Sequence, residues 1–243
     1  MTVLEAARQE GFDIPTLCYL KALGPYGVCR LCIVEAEGPG LIPAILPSCN
    51  LTISEGLIVI TNSTVIQSIR RTILELLLAS TPLTEALKAV AHKFGIETSR
   101  FKSAKSDPCI LCGLCVRVCR DRIGASALSF TSVRNEQVVA ERIRMNAELC
   151  IGCGTCANIC PIQAMQLEDS EAERRIILYG EVVQRFDLVN CECCGTPYTT
   201  QKFIDSIILR LAEEQRCGLK NLCPECARQY YAEALTGQFP SEG

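Results

Sequence analysis

The clearest hydrophobic pattern in the chain lies in residues 62–80, where apolar side chains recur every three or four positions. Positions with this spacing share one face of a helix, so the segment is predicted to be an amphipathic helix that packs on a core. Its apolar positions are Val65, Ile66, Ile69, Ile73, Leu76 and Leu77. Its predicted outer face carries Gln67, Arg70, Arg71 and Glu75.

Two shorter helices flank this segment in the N-terminal half. Thr2 and Glu5 form a capping-box pattern and Gly11 follows as a stop, which predicts a helix over residues 2–10. A second packing helix is predicted over residues 83–94. Alternating apolar residues bounded by turn residues predict extended segments elsewhere. They are strands at 31–35 and 57–61, an inserted hairpin at 133–140, and a hairpin of 176–179 with 181–186 that turns at Gly180.

The C-terminal quarter contains one more periodic segment. Phe203, Ile204, Ile207, Ile208 and Leu211 recur at helical spacing, which predicts a helix with these side chains on a buried face. A further short helix is predicted over about 224–235.

Two copies of one cysteine pattern, C-x2-C-x2-C-x3-C, lie in the middle of the chain. The first run is Cys109, Cys112, Cys115 and Cys119, and the second is Cys150, Cys153, Cys156 and Cys160. This is the bacterial ferredoxin spacing for [4Fe–4S] clusters. Structural zinc and disulfides are the alternative uses, but zinc sites usually pair two CxxC elements rather than eight cysteines in identical runs.

The fourth cysteine of each run has a separate assignment. In two-cluster ferredoxins it binds the cluster of the other run. One cluster is therefore expected on Cys109, Cys112, Cys115 and Cys160. The other is expected on Cys150, Cys153, Cys156 and Cys119.

Four earlier cysteines form a looser pattern, C-x10-C-x2-C-x16-C. They are Cys18, Cys29, Cys32 and Cys49. The long first gap and the later CxxC are similar to plant-type [2Fe–2S] ligation, although the usual C-x4-C-x2-C spacing is absent. Four cysteines can also bind zinc, so the spacing favours a [2Fe–2S] cluster and leaves zinc open.

Six further cysteines lie near the C-terminus, and four of them form two CxxC elements. The paired elements are Cys191 with Cys194 and Cys223 with Cys226. Such a pair favours a four-cysteine zinc site. A further iron–sulfur cluster that uses Cys193 or Cys217 remains an alternative, and so do thiols without a metal.

Composition narrows the classes of protein that fit. The chain has 243 residues, 18 cysteines and no tryptophan, and its net charge of −3 includes no basic block that would bind nucleic acid. Its first residues lack a secretory signal, and no apolar run approaches the roughly 18 residues of a membrane span. A cytoplasmic protein is expected, with its thiols used as metal ligands.

No catalytic residue is predicted. The sequence contains no glycine fingerprint for a flavin or dinucleotide, no plausible acid–base pair and no spare ligand set for nickel or molybdenum. The only histidine, His92, has no cysteine within ten residues. We therefore expect a component of an oxidoreductase complex that is not catalytic by itself.

Several stretches together resemble a known family. The chain is similar to the small diaphorase iron–sulfur subunit of NAD-reducing [NiFe] hydrogenases and to the N-terminal part of the large iron–sulfur subunit of respiratory complex I. Related segments occur in NAD-linked formate dehydrogenases and [FeFe] hydrogenases. The stretches that carry the resemblance are 4–8, 14–18, 27–35 and both four-cysteine runs, within residues 2–168.

The resemblance implies an α+β fold made of small iron–sulfur modules. It implies a plant-type ferredoxin-like domain with a [2Fe–2S] cluster on Cys18, Cys29, Cys32 and Cys49, and a bacterial 2[4Fe–4S] ferredoxin domain. The chain departs from the family in three ways. The hairpin that precedes the first helix in the family is not found before Thr2, which leaves three alternatives: the hairpin is lost, a partner completes the sheet, or the start codon is misplaced. A cluster loop with one histidine and three cysteine ligands is absent, and a Cys-rich C-terminus is added. The predicted domains are 1–62 for the [2Fe–2S] domain, 63–104 for a helical linker, 105–170 for the 2[4Fe–4S] domain with its inserted hairpin, and 171–243 for the C-terminal four-cysteine module.

The implied function is electron transfer inside an obligate hetero-oligomer without a membrane span. The partners would be a flavoprotein subunit that binds NAD(P)(H) and a catalytic subunit of the hydrogenase or formate dehydrogenase type, and an electron-bifurcating complex also fits. The alternative is a zinc-bearing scaffold that docks partner subunits and whose clusters are mainly structural. These cofactors and partners are expectations to set against the structure.

Overall fold

The computed structural model describes residues 1–81, 84–102, 108–135, 138–213 and 219–236. The chain divides into two compact units. The N-terminal unit comprises Met1–Met145 and Thr155–Met165, and the C-terminal unit comprises Asn146–Gly154 and Gln166–Gly243. The mixture of helices and sheets agrees with the expected α+β class.

The helices and strands alternate in short segments along the chain. The helices are α1 (Val3–Gln9), α2 (Thr64–Ser80), α3 (Glu85–His92), α4 (Leu114–Val118), α5 (Thr155–Asn158), α6 (Gln201–Ile208) and α7 (Pro224–Thr236). The strands are β1 (Ile33–Gly38), β2 (Leu41–Pro47), β3 (Ile58–Ile60), β4 (Leu128–Asn135), β5 (Val138–Met145), β6 (Met165–Asp169), β7 (Glu173–Leu178), β8 (Glu181–Asn190) and β9 (Pro197–Thr200). The chain also forms a 3-10 turn at Lys21–Leu23 and a π-helical turn at Cys119–Ile123.

Helix α1 begins with the predicted capping box. The Glu5 N–H donates to Thr2 Oγ1 at 3.2 Å, and the Thr2 N–H donates to Glu5 Oε2 at 2.9 Å. These reciprocal bonds satisfy amide donors that no helical carbonyl can reach. The first turn of the helix buries Val3 and Leu4 in a small core that also contains Cys32 and Cys49.

The first sheet is antiparallel and has the strand order β2-β1-β3. Strands β1 and β3 correspond to the predicted strands at 31–35 and 57–61, whereas β2 was not predicted. Ile33 pairs with Pro47, and Glu35 pairs with Ile60. The sheet therefore brings the chain near Cys32 beside the chain near Cys49.

Helix α2 is present, but the predicted orientation of its faces is wrong at several positions. Arg70 and Glu75 were expected on the outer face, and their side chains are only 3% and 6% exposed. Val65 and Leu76 were expected in the core, and each is 50% exposed. Both buried charges have polar partners. Arg70 donates hydrogen bonds to backbone carbonyls, and Glu75 forms an ion pair with Arg100 at 3.0 Å.

Both predicted hairpins are present. Strands β4 and β5 pair from Leu128 opposite Met145 inward, so this hairpin is longer than the predicted segment 133–140. Strands β7 and β8 pair around Gly180, whose φ of +82° is a conformation that glycine adopts readily. The second hairpin belongs to a four-stranded sheet with the order β6-β7-β8-β9.

Helix α6 is present, but the expected burial of its apolar face is wrong. None of its residues is fully buried, and Ile207 is 43% exposed. Instead, Phe203, Ile204, Ile207 and Ile208 line an open groove of about 400 Å³ that also contacts Tyr198. The periodic pattern correctly predicted that these side chains share one face of the helix. The groove leaves that face partly exposed to solvent.

The largest core of the N-terminal unit is built around cysteines as well as aliphatic side chains. Leu74 and Leu78 of α2 and Leu87 of α3 pack in one buried cluster with Cys18, Cys29 and Cys112. Cysteines from separate parts of the sequence thus share one apolar environment. Among the described residues, no helix is long and apolar enough to cross a membrane.

Candidate metal centres

The four cysteines of the first predicted site are all buried within the N-terminal unit. Cys18 lies in the loop after α1, Cys29 and Cys32 precede β1, and Cys49 follows β2. None of these side chains is more than 8% exposed. The pairing of β1 with β2 therefore brings Cys32 and Cys49 close together, although they are far apart in sequence.

These cysteines interact as two pairs. The thiol of Cys18 hydrogen-bonds to Cys29, which lowers the pKa of Cys29 to about 6 and raises the pKa of Cys18. The thiol of Cys49 hydrogen-bonds to Cys32, which lowers the pKa of Cys32 to about 7 and raises the pKa of Cys49. Two close pairs suit a [2Fe–2S] group, in which each of the two irons takes two thiolates.

The loop around this site directs amides at sulfur. The Leu17 N–H donates to Cys29 Sγ at 3.5 Å, and the Cys29 N–H donates to Cys18 Sγ at 3.4 Å. Gly27 has a φ of +76°, and a Cβ there would lie 2.8 Å from Asn50 Nδ2. The donor set and the close approach at Gly27 both fit a cluster-binding loop.

The first four-cysteine run leads into α4. Gly113 is the N-cap of this helix with a φ of +74°, and the Leu111 N–H donates to Cys109 Sγ at 3.4 Å. Burial raises the pKa of Cys112 to about 12, with smaller contributions from Cys109 and Cys160. Binding of iron would have to displace a proton from such a thiol, so metal binding here is coupled to proton release.

Cys160 lies with the first run, although about forty positions separate them in sequence. Cys109 and Cys160 pack against the core that contains Cys112. Burial also raises the pKa of Cys115, and the charges of Cys112, Cys109 and Cys160 add to that rise. This proximity fits the predicted set of Cys109, Cys112, Cys115 and Cys160, which remains a prediction.

The four cysteines predicted for the second [4Fe–4S] cluster do not belong to one unit. Cys119 and Cys156 belong to the N-terminal unit, whereas Cys150 and Cys153 belong to the C-terminal unit. The Ala127 N–H donates to Cys119 Sγ at 3.3 Å. This ligand set also remains a prediction from spacing.

The loop of the second run is held by the four-stranded sheet of the C-terminal unit. Arg174 Nη1 donates to the Gly152 carbonyl at 2.9 Å, and Thr200 Oγ1 donates to the Ile151 carbonyl at 2.6 Å. Gly152 has a φ of +72°, and a Cβ there would lie only 2.6 Å from Thr200 Cγ2. The loop of Cys150 and Cys153 is therefore tightly packed against its own sheet.

The two C-terminal CxxC elements converge on one point. The ligand atoms of Cys191, Cys194, Cys223 and Cys226 all lie within 4.8 Å of one another. Cys194 Sγ and Cys223 Sγ are 3.9 Å apart, and the Cys223 N–H donates to Cys191 Sγ at 3.2 Å. The backbone N–H groups of Cys194 and Cys223 lower the pKa of Cys191 to about 6.

The remaining C-terminal cysteines differ in position. Cys193 is exposed and does not belong to the convergent set. Cys217, the other candidate for a further cluster, lies outside the described residues. The chain therefore contains a Cys-rich cluster near its C-terminus, in which four convergent thiols could hold a metal ion.

Sequence reasoning missed the buried arginines beside the cysteine loops. Arg70, Arg117 and Arg174 are each at most 9% exposed, and each donates to backbone carbonyls. Periodicity alone placed Arg70 on an outer face, and no spacing rule marked the other two. The one signal that points to these arginines is that each lies close to a loop that contains both cysteine and glycine.

Two domain models match the chain. Residues 1–64 match a 2Fe-2S iron–sulfur cluster binding domain, and residues 108–164 match a 4Fe-4S dicluster domain. The chain therefore carries both kinds of iron–sulfur domain that its cysteine spacing predicted. Neither model extends beyond residue 164, so the C-terminal cysteines lie outside them.

Several curated proteins are similar to two thirds of the chain. An NADH-quinone oxidoreductase subunit of Rhizobium meliloti is 32% identical over 68% of the chain and 22% of its own length. The alpha subunit of an NADPH-Fe(3+) oxidoreductase of Geobacter sulfurreducens is 33% identical over 66% of the chain and 21% of its length. A subunit of an NADP-reducing hydrogenase of Solidesulfovibrio fructosivorans, HndD, is 33% identical over 68% of the chain and 33% of its length. The chain thus spans between a fifth and a third of these relatives.

One solved structure covers most of the chain. It is a chain of an NAD+-reducing [NiFe]-hydrogenase in the H2-reduced state, with 28% identity and a TM-score of 0.56. The match covers 88% of the present chain and 92% of the hydrogenase chain. The resemblance to iron–sulfur subunits of NAD(P)-linked oxidoreductases and hydrogenases is confirmed.

Proposed function

We propose that this chain, an iron–sulfur protein related to subunits of NADH- and NADPH-linked oxidoreductases and hydrogenases, is an electron-transfer subunit of a multi-subunit oxidoreductase. The observation that carries the proposal is the presence of two kinds of iron–sulfur domain in one chain. Cys29 of the first domain and Cys112 of the second share one buried core, which supports a continuous route.

The bound clusters would supply one-electron transfer. The chain supplies the thiolates, and eight of the twelve predicted cluster cysteines are buried while the other four are partly buried. Amides such as those of Leu17 and Ala127 donate to sulfur, and such hydrogen bonds tune the potential of an iron–sulfur site. No substrate chemistry is assigned to the side chains, so catalysis would belong to partner subunits.

The proposed partners rest on the resemblance of the chain to iron–sulfur subunits of NAD(P)-linked complexes. Electrons would pass between a flavoprotein subunit that binds NAD(P)(H) and a catalytic subunit of the hydrogenase or formate dehydrogenase type, including an electron-bifurcating form. An obligate hetero-oligomer is proposed, because a relay needs a neighbour at each end. The proposed domains are 1–62, 63–104, 105–170 and 171–243, with the cluster ligands as assigned from their spacing.

The relay is tested in the assembled complex with cluster-ligand variants. Cys112→Ser and Cys153→Ser each remove one predicted ligand, and we expect each to abolish electron flow from NAD(P)H to the terminal acceptor. Cys193→Ser is the matched control, because Cys193 is exposed and outside the predicted ligand sets. Undiminished turnover in a Cys112→Ser or Cys153→Ser complex that has lost the corresponding iron would rule out the relay.

The alternative function is a zinc-bearing module that docks partners, and the geometry of the C-terminal cysteines supports its zinc ion. Four sulfurs at about 2.3 Å from one tetrahedral zinc are about 3.8 Å apart. The observed separation of 3.9 Å between Cys194 Sγ and Cys223 Sγ matches that value. A cubane holds four irons between its thiolates and therefore needs wider separations. Among the described residues, only these four cysteines converge within 4.8 Å.

We therefore propose a single zinc ion on Cys191, Cys194, Cys223 and Cys226, with a further iron–sulfur cluster as the rival. Anaerobic analysis of the purified chain should find about one zinc and about ten irons per chain, as one [2Fe–2S] and two [4Fe–4S] clusters require. Cys194→Ser should lose zinc and keep its iron, and Cys193→Ser should keep both. Loss of iron in Cys194→Ser, with no zinc in the unsubstituted chain, would instead indicate the cluster.

A further inference from the structure

We propose that Arg117 is a positioning residue that docks the loop between Cys18 and Cys29 against helix α4, and so sets the distance between the [2Fe–2S] site and the first [4Fe–4S] site. The inference rests on the proposed relay function and extends it to one side chain. All of the residues involved belong to the N-terminal unit.

Arg117 binds the loop through three successive carbonyls. Its Nη2 atom donates to the carbonyl oxygens of Leu23, Gly24 and Pro25 at 2.5, 3.3 and 3.5 Å. The three oxygens converge because a 3-10 turn ends at Gly24, which has a φ of +71°. One guanidinium thus holds a turn that lies about ninety residues earlier in the sequence.

The guanidinium also stacks on an aromatic ring of the same loop. The Cζ atom of Arg117 lies 4.8 Å from the centroid of the Tyr26 ring, within the range of a cation–π contact. Gly113 also approaches the ring, since a Cβ there would lie 3.0 Å from Tyr26 Cε1. Tyr26 therefore contacts two positions of the α4 segment, one directly after Cys112 and one two residues after Cys115, while 39% of the residue stays exposed.

The contact leaves polar groups of the Arg117 side chain poorly matched. Arg117 is only 9% exposed, and among the described residues no acidic side chain forms an ion pair with it. Its Nη1 atom is buried without a hydrogen-bond partner. A buried, incompletely satisfied charge is an inefficient way to stabilise a fold, so a demand for exact position explains it better than stability.

The docked loop carries the ligands of the first site at its two ends. Cys18 precedes the turn and Cys29 follows it, and Leu20 and Leu23 of the turn pack on the core that contains Cys112 and Leu114. A second arginine, Arg122, donates to the Ala22 carbonyl of the same turn. Release of this turn from α4 would therefore shift one cysteine pair relative to the next site.

The test compares variants of the reconstituted, cluster-loaded chain. Arg117→Met removes both the hydrogen bonds and the charge. Arg117→Lys keeps the charge but lacks the planar guanidinium group. Tyr26→Leu removes only the aromatic ring. Arg120→Met is the matched control, because Arg120 is an exposed arginine of the same segment that pairs only with its neighbour Asp121 among the described ion pairs. Iron and sulfide content and the midpoint potential of each cluster are measured for every variant.

Two readouts report the separation of the sites directly. The first is the magnetic interaction between the reduced clusters in the EPR spectrum, which falls steeply with distance. The second is the rate of intramolecular electron transfer after flash reduction of the [2Fe–2S] site. We expect Arg117→Met to weaken the magnetic interaction and to slow electron transfer several-fold, because the tunnelling rate falls exponentially as the separation of the two sites increases. Arg117→Lys and Tyr26→Leu should be intermediate.

The possible outcomes separate this inference from the relay itself. A fully loaded Arg117→Met chain with unchanged magnetic interaction and rate would overturn the inference, while the relay would stand. If the Arg117→Met chain fails to load its clusters, the Tyr26→Leu chain becomes the deciding test. An unchanged rate of electron transfer in that variant also overturns the inference. Clusters that are present but cannot be reduced in the unsubstituted chain would count against the relay, whatever the variants do.

Discussion

Buried arginines are the side chains that connect the folding of this chain to its metal sites. Arg70 donates from α2 to the carbonyls of Leu31 and Ile33 at 2.9 and 2.8 Å, on either side of Cys32. The sheet does not satisfy the Leu31 carbonyl, which precedes β1, so the guanidinium does so at the cost of desolvating its charge. Arg174 acts in the same way on the loop of Cys150 and Cys153.

The role of Arg70 gives a prediction at the residue scale. Arg70→Met should leave two buried carbonyls without a donor, at a cost of about 2–3 kcal/mol in the free energy of unfolding. The urea midpoint for loss of the visible circular dichroism of the [2Fe–2S] site should fall. Arg71→Met is the control, because Arg71 is exposed on the same helix and makes one 3.3 Å bond to Gly95. Equal midpoints for the two variants would contradict the assignment.

At the scale of elements, the short helices and strands position the cysteine loops rather than form large layers. Helix α4 has five residues, and its N-cap is Gly113, directly after Cys112. The four-stranded sheet ends at Thr200, whose side chain both caps α6 and binds the Ile151 carbonyl. Strand and helix termini therefore coincide with the cysteine loops.

The loop of the second run provides a prediction at this scale. Gly152→Ala adds a Cβ within 2.6 Å of Thr200 Cγ2 and 3.0 Å of Phe186, so the loop must shift away from its sheet. We expect the purified chain to lose the iron of one [4Fe–4S] cluster, as measured by iron content and by the EPR signal. Gly180→Ala is the control, because Gly180 has a similar φ of +82° but no atom within 4 Å of the added Cβ.

The two variants share the strain of an alanine at positive φ, which costs about 1–2 kcal/mol. The two variants differ only in the space around the added Cβ, which meets Thr200 and Phe186 at position 152 and nothing within 4 Å at position 180. Equal cluster content in the two variants would show that the packing of Gly152 does not matter for the site.

At the scale of the whole molecule, cysteines replace part of an ordinary hydrophobic core. The main core of the N-terminal unit includes Cys18, Cys29 and Cys112, and the smaller core includes Cys32 and Cys49. Bound iron would join segments that are far apart in sequence, so the free energy of metal binding contributes to folding. Cys112 is only 8% exposed, and this burial raises its pKa to about 12.

Removal of the metals tests this dependence. We expect anaerobic treatment with an oxidant and a chelator to give a chain with reduced far-UV circular dichroism and rapid proteolysis between Cys18 and Cys112. Reconstitution with iron, sulfide and zinc should restore both properties. An apo-chain with undiminished circular dichroism and protease resistance would show that the cores form without their clusters.

Local signals in the sequence predicted much of this architecture. The capping box of Thr2 and Glu5, the turn at Gly180 and the hairpin around 133–140 depend on neighbouring residues, and all three are present. Four positions of α2, namely Val65, Arg70, Glu75 and Leu76, and the burial of α6 were predicted incorrectly. Burial of a helix face depends on what other segments provide, and Leu31 and Ile33 provide carbonyls for Arg70 that no periodicity reveals.

The sequence by itself determined the chemistry: the spacing of cysteines within each loop identified iron–sulfur domains, because ligands that wrap one cluster must follow one another closely. The tertiary structure decided which distant groups meet. It pairs Cys32 with Cys49, brings Cys191 and Cys194 to Cys223 and Cys226, and sets Arg117 on the turn before Cys29. These contacts arise from strand register and core packing, which act between segments and leave no fixed spacing along the chain.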